Sequence, residues 1–312
     1  MSADPPVCPH DGGDLHVLAE RLPRPGESVG FRYRIATKVG DGGMCRIFSA
    51  WDALTARAVA IKLLAPEMAT DCRWRELFLT EVAVMRKIRN DNVVRVHEGG
   101  ISRDGHCFMS MELLEGQTLA DRLATRGRLS PDDAGEVLAG VAKALTAVHN
   151  CGYVHRDIKP ENIFLTGKRY ARKIQAGHVR LMDLGVATPL NASPNGLTVD
   201  GTPAYMSPEQ VSGGQLDERS DLYSLGVVLF EMITGKPCFD AEDQQDLMLA
   251  HLQAPAPRMP ESIACTETGK VILEVFAHLM EKNPDLRPTT ATRLLASLPW
   301  ADHSRISLVS GW

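Results

Sequence analysis

The apolar pattern of this chain changes period near Gly116, and that change limits the folds open to it. Before Gly116 the apolar residues fall into short β-branched or aromatic runs at 31–39, 47–52, 58–63, 93–97 and 106–111, which read as strands. One stretch among them, 76–89, sets Leu77, Val84, Met85 and Ile88 at helical spacing. Beyond Gly116 the helical period dominates. Ser130-Pro131-Asp132-Asp133 reads as a helix start, with an N-cap serine, proline at the first position and acids at the positive end of the dipole. That helix runs to about Asn150 on an apolar face of Val137, Val141, Ala144, Leu145 and Val148. A second covers 221–234 with Gly235 as its cap. Further helices are expected at 242–252, 270–282 and 289–298. The pattern describes a small β lobe followed by a larger α lobe, with a cleft between them.

Tails frame these halves. Residues 1–30 hold Pro5, Pro6, Pro9, Pro23 and Pro25 and show no period, and 301–312 form a second tail with hydroxyls at Ser304, Ser307 and Ser310. The folded region is thus expected at 31–300, divided into 31–115 and 116–300. Cys8-Pro9-His10-Asp11-Gly12 looks like half of a zinc knuckle whose other half is missing, so a flexible tail is the favoured reading.

Composition excludes several classes. With 312 residues, 44% apolar and 23% charged, extensive disorder is ruled out. The 34 basic and 39 acidic residues give a net charge of −5, which argues against a chain-wide nucleic-acid surface. No apolar run approaches about 18 residues, so no membrane span is expected. Residues 1–10 are acidic and Pro-rich, without the features of a signal peptide. The seven cysteines, at 8, 45, 72, 107, 151, 238 and 265, are odd in number and never spaced C-x-x-C. They point to a reducing cytoplasm rather than a disulfide framework.

Three motifs carry chemistry. Gly40-Asp41-Gly42-Gly43-Met44-Cys45-Arg46-Ile47 sits between two strands, and its glycines would let backbone N–H groups approach phosphate oxygens. No Gly-Lys-Ser/Thr follows, so it is not a P-loop. Val59-Ala60-Ile61-Lys62 ends an apolar strand on a cation. Glu81 is the carboxylate best spaced to hold Lys62, with Glu76 as the second choice. The strongest signal is His155-Arg156-Asp157-Ile158-Lys159-Pro160-Glu161-Asn162, followed by Leu181-Met182-Asp183-Leu184-Gly185. Asp157, Asn162 and Asp183 supply what phosphoryl transfer needs: a carboxylate to take a hydroxyl proton, and hard oxygen ligands for Mg²⁺.

The ordered set of these motifs, with Ser207-Pro208-Glu209, Asp221 and Arg287, resembles the eukaryotic-like serine/threonine protein kinases and most closely their bacterial branch. The resemblance covers roughly 31–300. It implies an α+β, two-lobed protein kinase fold, with a small antiparallel β lobe carrying one main helix and a larger, mainly α lobe. It implies an enzyme that uses ATP and Mg²⁺, with Mn²⁺ as a substitute, on Ser/Thr hydroxyls of protein substrates. Lys62 would touch the α- and β-phosphates and pair with Glu81. Asp157 would deprotonate the acceptor, Lys159 would stabilise the transferring group, and Thr202 would bridge those two. Asn162 and Asp183 would ligate the metal. Met111 matches the gatekeeper, and Glu112, Leu113 and Leu114 match the hinge that would bond adenine. Ile47, Ala60 and Phe164 would sandwich its ring. Met85, Val96, His155 and Leu184 match an apolar spine, so His155 is structural. Asp221 would anchor the Asp157 loop, and Glu209 and Arg287 would form a buried ion pair. Thr198 stands where an activating phosphate often lies, with Arg156 as its partner, and Gly201 opens the substrate-docking turn.

The chain also departs from the family pattern. Cys45 occupies the third glycine position of the Gly-rich loop, which is expected to weaken nucleotide binding. Leu184 replaces phenylalanine, a volume-conserving apolar change. The stretch from Asn162 to Asp183 is longer than usual and holds Lys168, Arg169, Arg172, Lys173 and Arg180, read as a solvated loop or as a docking site for an acidic partner. Glu161 and Glu231 match positions that read basic residues on some substrates. The second function open at this point is a pseudokinase scaffold, and the third is a small-molecule kinase. The sensor domain and membrane span of many such kinases have no counterpart in the sequence, so either a regulatory partner protein supplies the signal or the chain is a fragment.

Overall fold

The structure is a computed structural model, and it describes residues 18–167, 173–184, 188–189 and 202–300. The chain divides into two compact units. One is formed by the chain up to Ile88 together with Val94–Leu114, the other by Arg89–Val93 and the chain from Glu115 onward.

The first unit is built on an antiparallel sheet of six strands: β1 (Ser28–Val29), β2 (Tyr33–Asp41), β3 (Cys45–Asp52), β4 (Arg57–Leu64), β5 (Val96–Ile101) and β6 (Cys107–Glu112). Their order is β1-β2-β3-β4-β6-β5. Val59, Ala60, Ile61, Lys62, Leu63 and Leu64 of β4 are all buried, as suits a central strand covered on both faces. Alternation places Tyr33 and Ile35 of β2 and Phe48 and Ala50 of β3 on the same core, with Val29, Ile61 and Leu63. A short helix α1 (Pro66–Ala69) precedes the main helix α2 (Cys72–Met85), which packs on β5 and β6. α2 starts earlier than the apolar period suggests because Asp71 caps it, its side chain accepting from Arg73 N–H. It buries Phe78, Val82, Val84 and Met85.

The second unit is mainly helical. Strand β7 (Gly116–Thr118) leads into α3 (Leu119–Arg126) and then the long α4 (Pro131–Asn150). Ser130 caps α4 as expected, its hydroxyl accepting from Asp133 N–H at 3.2 Å. After β8 (Tyr153–Val154) and a 3₁₀ turn, Pro160–Asn162, come β9 (Ile163–Thr166), β10 (Val179–Leu181) and β11 (Thr188–Pro189). β10, β9 and β7 form one antiparallel sheet, and β11 pairs with β8. The helices α5 (Pro208–Ser212), α6 (Glu218–Thr234), α7 (Gln244–Gln253), α8 (Glu267–Leu279) and α9 (Ala291–Ala296) complete it. α6 is buried nearly all round and lies in the core, packed against α4 and α8. It ends where the sequence indicated, on Gly235 in the left-handed conformation at φ 69°.

The segment between Asn162 and Asp183 corrects the solvated-loop reading in part. Ile174 and Ala176 are buried, and their N–H groups donate to Asp133 and Glu136 of α4 at 2.9 and 2.7 Å. Two apolar side chains and two charge-assisted bonds draw this stretch down onto the helix. Lys173 is exposed and Arg180 partly so, while Lys168, Arg169 and Arg172 lie outside the described residues. No helix among the described residues is long and apolar enough to cross a membrane.

Candidate active site

In the first unit the Gly-rich segment is a hairpin. Gly40 and Asp41 end β2, Gly42, Gly43 and Met44 turn, and Cys45, Arg46 and Ile47 open β3. Cys45 is therefore a strand residue paired with Leu64. Its carbonyl accepts from Gly42 N–H at 3.0 Å, closing the turn. Arg46 ties the hairpin across, bonding the Asp41 carboxylate at 2.6 Å and also the Gly42 carbonyl. Lys38 adds a second ion pair to Asp41. None of Gly40, Gly42 and Gly43 has a positive φ, and a Cβ at Gly43 would meet nothing within 4 Å. The fold alone does not require glycine there.

Lys62 and Glu81 meet where β4 faces α2. The Lys62 ammonium donates to both Glu81 oxygens at 3.0 and 3.1 Å, with the two side chains only 7% and 6% exposed. Glu76, the other candidate for this pairing, is exposed. A pair so far out of water persists because each charge has its counterpart in place. Ala60 and Met111 are cross-strand neighbours, both buried. Glu112 ends β6, its carboxylate accepting from Arg95 N–H at 2.8 Å, and Leu114 follows it, partly exposed.

In the second unit a short polar loop gathers four side chains. The Asp157 carboxylate accepts from Lys159 Nζ at 2.8 Å, from Asn162 Nδ2 at 2.9 Å and from Thr202 Oγ1 at 3.4 Å. Lys159 Nζ also donates to Thr202 Oγ1 at 2.8 Å. Asn162 Nδ2 reaches the Asp157 carbonyl as well, so its two hydrogens are spent on Asp157 and its amide oxygen is turned away from that residue. Met182 N–H donates to the Asn162 carbonyl at 2.8 Å and so brings Asp183, the next residue, beside Asn162. Phe164 lies in β9, partly exposed.

The loop is held under strain from below. Arg156 has φ 70°, a left-handed conformation that costs a non-glycine residue about 1–3 kcal/mol. Fully buried Asp221 of α6 accepts from the successive N–H groups of His155 and Arg156, both at 2.8 Å. Gln210 donates to the Arg156 carbonyl at 2.8 Å. Complete burial pushes the His155 imidazole below its usual range, which suits a packing residue better than a base.

Comparison with known proteins decides the family. The protein kinase domain family matches residues 33–300. Similar curated proteins include a probable serine/threonine-protein kinase PknB of Corynebacterium glutamicum, 34% identical over 285 residues that make up 88% of this chain and 43% of that protein. The serine/threonine-protein kinase PrkC of Bacillus subtilis is 35% identical over 88% of this chain and 41% of its own. The serine/threonine-protein kinases PknA of Corynebacterium glutamicum is 36% identical over 84% and 54% respectively.

The chain belongs to the protein kinase domain family. It spans about half or less of the length of these bacterial relatives. The kinase fold expected from the resemblance is the one observed, an α+β chain with an antiparallel β unit and a mainly α unit. Within it Glu209 and Arg287 form the buried ion pair, at 2.7 and 3.0 Å. Met85, Val96, His155 and Leu184 are all buried. Thr198, Gly185 and Gly201 lie outside the described residues. Among the described residues no group of three or more His, Cys, Asp or Glu side chains is placed to hold a metal. Asn162 and Asp183 would supply two oxygens, a donor set of the kind suited to Mg²⁺, which takes one or two protein oxygens and completes its octahedron with phosphate and water.

Sequence reasoning missed one residue here. His149 near the end of α4 bonds Asp221 through Nε2 at 2.7 Å and lies 3.5 Å from Glu218 through Nδ1. Burial pushes its pKa down, but bonds to Asp221 and Glu218 outweigh that and raise it to about 9. It is the charged counterpart of the anchor aspartate, and its helical position carries no signal of a partner 72 residues away. Arg46 is named in the Gly-rich motif, but its part in closing the hairpin depends on the register of β2 against β3, which the motif does not show.

Proposed function

We propose that this chain transfers the γ-phosphoryl group of ATP to Ser or Thr hydroxyls of proteins. The observation that carries this reading is the Asp157 carboxylate within 3.4 Å of Lys159, Asn162 and Thr202 at once, on a loop pinned in a strained conformation. Asp157 is the acceptor for the proton of the incoming hydroxyl, and its second-row contacts keep the carboxylate aimed. Lys159 places a positive charge next to Asp157, where negative charge develops on the transferring group. Asn162 and Asp183 would hold Mg²⁺, which when bound neutralises phosphate charge. Lys62, oriented by Glu81, binds phosphate oxygens. Gly42 N–H is spent on the Cys45 carbonyl, but the lack of side chains at Gly42 and Gly43 lets phosphate approach the turn closely, which accounts for glycines that the local geometry does not demand. Ile47, Ala60, Met111, Glu112, Leu114 and Phe164 serve the adenine ring. Tyr205 and the turn around it present the acceptor segment.

The absence of any disulfide among the described cysteines supports action in a reducing compartment, which we take as the cytoplasm. The test is incubation with labelled ATP and Mg²⁺, alone and with a generic protein substrate, beside Asp157→Asn. Label on Ser or Thr in the native chain and none in the variant is the expected result, with both proteins melting at the same temperature. Bound ATP with no label on any protein would overturn the transferase reading in favour of a scaffold.

A further inference from the structure

The second unit contains a polar chain that phosphoryl transfer, as read above, does not use. His251 is the one buried residue of α7 and is 0% exposed. Its ring stands edge-on to Tyr223 of α6 and to Phe239, with centroids 5.8 and 4.9 Å away. Nδ1 lies 3.2 Å from the Tyr223 hydroxyl, and Nε2 lies 3.1 Å from the carbonyl oxygen of Ala204. Lys282 donates to the same Tyr223 hydroxyl at 3.0 Å and to the His251 carbonyl at 2.8 Å. Its ammonium sits over the Phe239 and Tyr223 rings at 4.7 and 5.3 Å.

The direction of each bond follows from what each atom can do. An ammonium only donates, and a carbonyl only accepts. The Tyr223 oxygen receives a hydrogen from Lys282 and gives its own to Nδ1. The ring proton therefore sits on Nε2 and points at Ala204. Burial, together with the nearby Lys282 charge, holds His251 down at about 4, so the ring is neutral and keeps this tautomer at ordinary pH.

Ala204 is the middle of the 3₁₀ turn Pro203–Tyr205, whose cap is Thr202. Thr202 bonds Lys159 and Asp157, and the Tyr205 hydroxyl bonds Glu231 at 2.7 Å. Packing does not call for an imidazole at 251. A phenylalanine would fill the same aromatic niche, but it would leave the Ala204 carbonyl and the Tyr223 hydroxyl without this partner.

We propose that His251 is a positioning residue for the phosphoryl acceptor: by donating to the Ala204 carbonyl it clamps the turn of residues 202–205 and keeps Thr202 aligned with Asp157 and Lys159. What the turn presents rests on the transferase reading; the clamp itself does not.

The experiment compares the full chain with His251→Phe and His251→Gln. It measures kcat and KM for a Ser-containing peptide and for ATP, and the exchange rates of the Tyr205 and Met206 amides, which bond Thr202 and Pro203 within the turn. In His251→Phe, kcat/KM for the peptide falls about tenfold or more, KM for ATP is unchanged and both amides exchange faster. His251→Gln, whose amide nitrogen reaches about as far as Nε2, recovers most of both. Unchanged exchange in His251→Phe overturns the proposal. So does an equal loss in both variants that tracks a lowered melting temperature, because that is packing alone. If the native chain transfers no phosphate, the transferase reading fails while the exchange data still decide the clamp.

Discussion

Glu209 and Arg287 put one charge of each sign out of water, at 9% and 3% exposure. Every donor of the Arg287 guanidinium is used: two on Glu209, and one each on the carbonyls of Glu281, Arg219 and Lys282. Removing the guanidinium strands a buried carboxylate. Arg287→Met therefore lowers unfolding free energy by about 3–5 kcal/mol, measured by urea denaturation. This pair was legible in the sequence, as was Lys62 with Glu81, because each ion stands in a recognisable run of residues. His149 was not, since what makes it special is a buried aspartate on another helix. Its effect has a sign that can be checked. Its folded pKa is raised, so the stability it contributes is full below about 6.5 and is lost as pH rises through about 9. The native chain loses stability over that window, and His149→Gln removes most of the slope, read by denaturation between about pH 6 and pH 10.

Among elements, the long ones announced themselves and the short ones did not. α4 and α6 were found from caps and period, with α6 beginning a turn earlier than expected because its first turn, after the Asp217 cap, is polar. α3 and α5 are only 8 and 5 residues long, too short for a period to show. Their capping boxes, Thr118 with Asp121 and Ser207 with Gln210, were the signal available. The left-handed cap of α6 is sensitive to a single change. A Cβ on Gly235 would lie 2.1 Å from the Gly127 carbonyl oxygen, on a backbone that already disfavours side chains. Gly235→Ala costs more than about 2 kcal/mol, seen as a lower denaturation midpoint, with the loss spreading to the Gly127 turn after α3.

At the scale of the whole molecule, the α+β plan was readable from the change of hydrophobic period. The docking of Ile174 and Ala176 on α4 was not, because it depends on backbone amides meeting Asp133 and Glu136. The proposed nucleotide site makes a global prediction. ATP with Mg²⁺ raises the melting temperature, by an amount that grows with the logarithm of ATP concentration. Asp183→Asn keeps the increment seen with ATP alone and loses the part that Mg²⁺ adds, checked by thermal shift with and without chelator.

Asp221 lies at 0% exposure on a core helix and holds two successive amides of the Asp157 loop. The reactive loop therefore has no melting of its own to undergo before the core gives way. Heat inactivation of the proposed transferase follows the same curve as its loss of structure. There is no warm interval in which the core of the second unit is folded and this loop is not.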